Sequence, residues 1–209
     1  MNLSTPAANE NKMNPAYMGT NEDTSVLDQA RLTVYQFLSL ATSKPLSERW
    51  PRILEPDFQE LARAAVEVIR EDPRACPDRL APGEIALAAL DLAPLISFLR
   101  QPKEDFSEEF DRVFGLLVSR ECPPYETEYC PQTFSVYRSQ HLADIAGFYR
   151  AFGLEPSCKS PERHDHIALE LEFMAWLNTK TLYALEQGDK DNANLCRDTQ
   201  MRFFRDHLA

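Results

Sequence analysis

Three observations predict an all-α protein. Glycine is scarce, 6 of 209 residues, and glycine is what tight β-turns and dinucleotide-binding loops consume. Apolar residues recur at helical spacing through most of the chain. No alternating strand pattern and no hairpin turn signal accompanies them.

The elements follow in order. Residues 1–24 have no periodicity and little apolar content, so a disordered tail is expected there. Order is expected from Ser25, an N-cap with Asp28 three residues on. Leu27, Ala30, Val34, Phe37, Leu38 and Ala41 then form one stripe, which Pro45 stops. Trp50 and Pro51 mark a turn. Phe58, Leu61, Ala65, Val68 and Ile69 give a second helix, ended by Asp72-Pro73. Ile85 to Leu92 reads as a third helical stretch, broken or kinked by Pro94 before Leu95 to Leu99.

Phe106, Phe110, Val113, Phe114 and Leu117 form the next stripe, with Glu104, Asp105, Glu108, Glu109 and Asp111 on the solvated face. Residues 119–134, holding Pro123, Pro124 and Pro131, are expected to be an ordered loop. Leu142, Ile145, Ala146, Tyr149 and Phe152 resume a helix that Gly153 closes. After a loop over residues 154–164, Asp165 to Gln187 is the longest run, with Gly188 after it. Ala193, Cys196, Gln200, Phe203 and His207 mark a last helix.

Composition narrows the function. A length of 209 residues bounds the chain to one domain or two small lobes, and 44% hydrophobic residues suffice for a core. The net charge of −11 disfavours nucleic acid and anionic membranes, whose phosphates repel it, and favours a cationic partner. The first 24 residues show neither a basic n-region nor an apolar h-region, so no secretory signal is expected there. The most apolar window, Ile85 to Leu99, is interrupted by Asp91 and Pro94 and is too short to span a membrane. Five cysteines, an odd number without a C-x-x-C pair, fit reduced thiols. A soluble cytoplasmic protein is expected.

Two segments carry candidate chemistry. The first is the loop Glu121-Cys122-Pro123-Pro124-Tyr125-Glu126-Thr127-Glu128-Tyr129-Cys130. Its prolines stiffen it, its carboxylates suit forked hydrogen bonds from arginine, and its tyrosines suit packing on guanidinium or apolar groups. The plainer reading is an inter-helix connector. The second is Glu162-Arg163-His164-Asp165-His166 at the start of the longest helix. Asp165 fits the N-cap of that helix. His166, in its first turn, is expected to be a neutral hydrogen-bonding group, its protonation disfavoured by the helix dipole. Glu162, His164 and His166 with Cys158 offer metal-ligand chemistry, although their spacing matches no zinc pattern. No phosphate loop, G-x-S-x-G or H-E-x-x-H occurs. No cofactor or metal is expected.

These segments resemble one family. The loop from Glu121 to Tyr129, then Ala143-Asp144-Ile145-Ala146-Gly147-Phe148-Tyr149, then Glu162 to Met174, stand in the order seen in the TorD/DmsD/NarJ group of redox-enzyme maturation chaperones. Phe110-Asp111-Arg112-Val113-Phe114 is similar to that group's aromatic-x-x-aliphatic-Phe element. The resemblance covers most of residues 25–209. It implies a TorD-like bundle of about eight to nine helices, with an N-terminal lobe over 25–118, a linking loop over 119–134 and a C-terminal lobe over 135–209.

It also implies a non-enzymatic cytoplasmic chaperone. Such a protein binds the twin-arginine signal peptide and the body of a molybdopterin enzyme subunit, and assists cofactor insertion and assembly before export. Asp165 and His166 match the family's functional pair and are expected to contact the peptide directly. Glu162, Glu126 and Glu128 would be acidic contacts, with Tyr125 and Tyr129 shaping the groove.

Two departures stand out. His164 occupies the position where the family usually has proline, and the family's further helices after an Asp-His-Leu element, here Asp206-His207-Leu208, are absent from this sequence. Three expectations correspond: a shortened family member, a truncated one, or one whose C-terminal lobe is completed in a homodimer by helix exchange. Two other function classes fit the residues: a metal-dependent hydrolase using Glu162, His164, His166 and Cys158, and a structural helical subunit of a redox complex.

Overall fold

The computed structural model describes residues 21–72, 86–101, 106–114, 122–130, 135–157 and 162–208. Residues 1–20 of the tail expected over 1–24, and Ile85, Glu104, Asp105, Leu117, Glu121 and Cys158, lie outside those residues.

Seven α-helices and no strand are present among the described residues, so the fold is all-α. They are α1 (Asn21–Ala41), α2 (Pro56–Arg70), α3 (Ala93–Leu99), α4 (Phe106–Phe114), α5 (Ser135–Ala151), α6 (Ile167–Glu186) and α7 (Lys190–Phe203). Short 3-10 turns occupy Trp50–Leu54, Leu87–Ala89 and Glu126–Glu128, and a π-helical turn, Phe204–Leu208, follows α7.

Two apolar clusters hold these helices together. In the first, Val34, Phe37 and Leu40 of α1 meet Trp50, Ile53, Phe58, Ala62, Val66, Ile96 and Leu99. In the second, Ile145 and Tyr149 of α5 meet Phe173, Met174 and Leu177 of α6 and Phe203 of α7. Helix α1 packs along α6 and also lends Tyr35 to the second cluster. The buried Ser39 hydroxyl donates to the Ala168 carbonyl at 2.9 Å across that contact.

Several expectations shift locally. Helix α1 begins at Asn21, ahead of Ser25. Asp28, expected to serve the N-terminal cap, is buried and accepts from Arg197 of α7 at 2.7 Å. A partner distant in sequence takes the carboxylate that a local pattern assigned to a cap. Of the stretch expected to be helical before Pro94, the described part forms only the turn Leu87–Ala89. Pro94 starts α3 rather than breaking a helix, because a first-turn residue needs no amide hydrogen. Gly153 and Gly188, at φ of 71° and 72°, end α5 and α6 as expected; that left-handed backbone suits a residue without Cβ.

Candidate functional site

The proline-rich loop is sewn onto the start of α6. Tyr125 and His166 are both extended and form an isolated antiparallel bridge. The Glu126 amide donates to the Asp165 carbonyl and the Ile167 amide to the Pro124 carbonyl, each at 2.9 Å. The two segments that the sequence singled out are therefore one structural unit.

The N-cap of α6 is His166, not Asp165. His166 Nδ1 accepts from the Ala168 amide at 3.1 Å. An accepting Nδ1 carries no proton, so the ring is neutral with its hydrogen on Nε2. Burial is the main reason its pKa lies below the ordinary histidine value.

Asp165 is fully buried, and its carboxylate meets the loop and Arg163. Oδ2 accepts from the Thr127 amide at 3.2 Å, the Thr127 hydroxyl at 2.7 Å and Arg163 Nη2 at 2.8 Å. Oδ1 accepts from Arg163 Nε at 3.0 Å. Asp165 does accept an amide hydrogen, but from the loop. Arg163 also donates to the Thr127 hydroxyl at 2.7 Å and lies 4.3 Å over the Tyr125 ring. Both carboxylate oxygens face the Arg163 guanidinium of this chain, and Asp165 and His166 together hold the loop against the start of α6.

Glu162, Tyr125, Tyr129 and Glu128 form the outer rim. The Tyr125 hydroxyl donates to Glu162 Oε1 at 3.1 Å. Tyr129, 63% exposed, donates to the Pro123 carbonyl at 2.9 Å. Glu128 accepts from both Arg138 terminal nitrogens at 3.2 and 3.4 Å. Val136 and Tyr137, beside Arg138 on α5, are exposed. Glu126 turns inward to His207 and His141. Two shallow clefts, between α6 and α7 and beside Trp50–Leu54, are lined by none of the predicted site residues.

Sequence reasoning missed four participants. Thr127 and Arg163 stand inside the quoted motifs, but only the fold reveals that they bind Asp165. Tyr149 donates to the His164 carbonyl at 2.9 Å and stacks on the His164 ring, tying α5 to the same corner. Burial, followed by the nearby carboxylates, pushes its phenol far above the ordinary tyrosine range. Glu170, one turn into α6, is 1% exposed and its Oε1 has no hydrogen-bond partner. Burial, reinforced by the charges of Glu126 and Asp165, raises its pKa to about 8, so it is mostly protonated at neutral pH.

The suspected metal set Glu162, His164, His166 and Cys158 is not brought together among the described residues. His166 Nδ1 is used as a cap, and the His164 ring rests on Tyr149. No helix among the described residues is long and apolar enough to cross a membrane.

No curated protein and no solved structure matches the chain. Residues 83–209, however, match the family described as nitrate reductase delta subunit. The matched span contains the loop, its bridge partner and the helices that carry the site, while α1 and α2 precede it. The chain belongs to the nitrate reductase delta subunit family, a molybdoenzyme maturation chaperone family rather than a catalytic one, whose members engage a nitrate reductase-type molybdoenzyme subunit.

Proposed function

We propose that this protein is a cytoplasmic chaperone that binds the twin-arginine signal peptide of a molybdopterin-containing catalytic subunit. It also holds the body of that subunit while cofactor insertion and assembly proceed, before export. The observation that carries this reading is the carboxylate-bearing loop pinned across the start of α6. Pinning fixes Glu128, Glu162, Tyr125 and Tyr129 on one rim, so less chain entropy is lost when a peptide docks.

Roles divide by burial. Glu128 and Glu162 are the acidic groups at the rim, and Tyr125 and Tyr129 supply flat apolar surface for guanidinium packing. Asp165 and His166 act through the loop that they hold. The net charge of −11 draws a cationic leader in, and that attraction weakens with salt.

The test is fluorescence anisotropy with a labelled leader peptide carrying adjacent arginines, against the same peptide with glutamines there. Arginine should bind at least tenfold more tightly at low salt. The Glu128→Gln/Glu162→Gln double variant should lose most of that preference. Equal affinity for the two peptides would overturn the reading.

A further inference from the structure

Glu126 is the loop carboxylate that faces away from the rim, and it meets two histidines from distant parts of the chain. His141 lies on α5 and His207 in the π-helical turn after α7. His207 Nδ1 is 3.2 Å from each Glu126 carboxylate oxygen, and His141 Nδ1 is 3.6 Å from Oε1. One donor atom from each of the three residues lies within 4.8 Å of the others.

We propose that Glu126, His141 and His207 form a binding site for a divalent transition-metal ion of the zinc class. The donor set is two imidazoles and one carboxylate, which suits Zn²⁺ and its neighbours and disfavours Mg²⁺ or Ca²⁺. The spacing agrees with the chemistry. Zinc bonds of about 2.0–2.2 Å at tetrahedral angles separate neighbouring donor atoms by about 3.3–3.6 Å. The two His–Glu126 separations, 3.2 and 3.6 Å, match that spacing, and the two imidazoles lie within 4.8 Å of each other, so a metal would draw the ligands together by side-chain adjustment.

An outer carboxylate is also in place. His207 Nε2 is 3.3 Å from Asp144 Oδ2. A ligating imidazole commonly gives its other nitrogen to a carboxylate, which fixes its tautomer and raises its basicity. His207 Nε2 is buried and has no aligned hydrogen-bond partner, so a small turn of the exposed Asp144 carboxylate would let it hold the Nε2 proton and leave Nδ1 for the metal. Three protein ligands leave a fourth position for water or for a client group.

The consequence is mechanical. The ligands come from the 3-10 turn of the loop, from α5 and from the C-terminal turn, and the Phe148 ring of α5 already packs edge-on against His207. A bound ion would fasten the C-terminal turn to the loop from behind, on the side away from Glu128 and Tyr129. This inference does not depend on the signal-peptide reading, and its test measures metal alone.

Full-length protein freed of metal with a chelator would be titrated with Zn²⁺ by calorimetry and with Co²⁺ by visible absorption. The expected result is one ion per chain and a four-coordinate Co²⁺ spectrum without a thiolate charge-transfer band. His141→Ala and Glu126→Gln should each weaken Zn²⁺ at least hundredfold. Asp144→Asn, at a side chain 65% exposed, should weaken it about 10–100-fold without loss of folding. Substoichiometric binding by the wild type, unchanged affinity in His141→Ala, or a thiolate band implicating Cys122 or Cys130 would each overturn the assignment. Circular dichroism of every variant separates a lost ligand from a lost fold.

Discussion

Glu170→Gln isolates the buried carboxyl beneath the loop. Its ordinary pKa of 4.5 rises to about 8 in the folded chain, chiefly through burial and then through Glu126 and Asp165. Between those values the folded state keeps a proton that the unfolded state has released. Unfolding therefore releases a proton, and raising the pH favours it. The stability associated with this group is fully present below about pH 4.5 and is lost as pH rises through about 8. At 1.36 kcal/mol per pH unit the full loss is about 5 kcal/mol, of which about 3 kcal/mol has gone by pH 7.

Glutamine keeps the shape of the neutral acid and has no charge to bury. The variant should match the wild type near pH 5 and exceed it by several kcal/mol at pH 9. Urea unfolding followed by circular dichroism, at one-unit steps from pH 5 to 9, measures this directly. Subtracting the two curves removes the titrations that both proteins share. Parallel curves across that range would refute the reasoning, because they would mean that Glu170 ionises in the fold as it does in water.

Two further outcomes follow from the same corner. Asp165→Ala should cost about 1.5–3 kcal/mol in urea unfolding, since it leaves Thr127 and the half-exposed Arg163 without their shared acceptor; a cost under about 0.5 kcal/mol would show that the clamp does not hold the loop. Combined with His166→Ala it should lose stability as well as peptide binding, so the rim carboxylates are the cleaner probes of recognition. Phe203→Ala should cost about 3–5 kcal/mol, because that ring is fully buried between Phe148, Tyr149 and Phe173. Thermal unfolding would record it as a large drop in Tm, and a change of only a degree or two would show that the second cluster is loosely packed.

The helices were legible where local pattern is enough. Stripes such as Val34, Phe37 and Leu38 need only their own spacing to mark a buried face, and Gly153 and Gly188 mark ends by their backbone freedom. Pro94 misled because a proline reads alike whether it ends one helix or begins the next. The site was half legible. The loop and the segment before α6 announced themselves through residue type, and the family resemblance joined them.

What the sequence alone determined is the helical class, the net charge of −11, and the two segments that carry the site. What only the tertiary structure decided is where each polar group points. Asp165 turns to Thr127 and Arg163, His166 takes the cap, and Glu126 meets His141 and His207 from positions far along the chain. The reason is physical. Apolar periodicity is a property of one segment, whereas a buried polar group takes whichever partner the packed helices bring within hydrogen-bond reach.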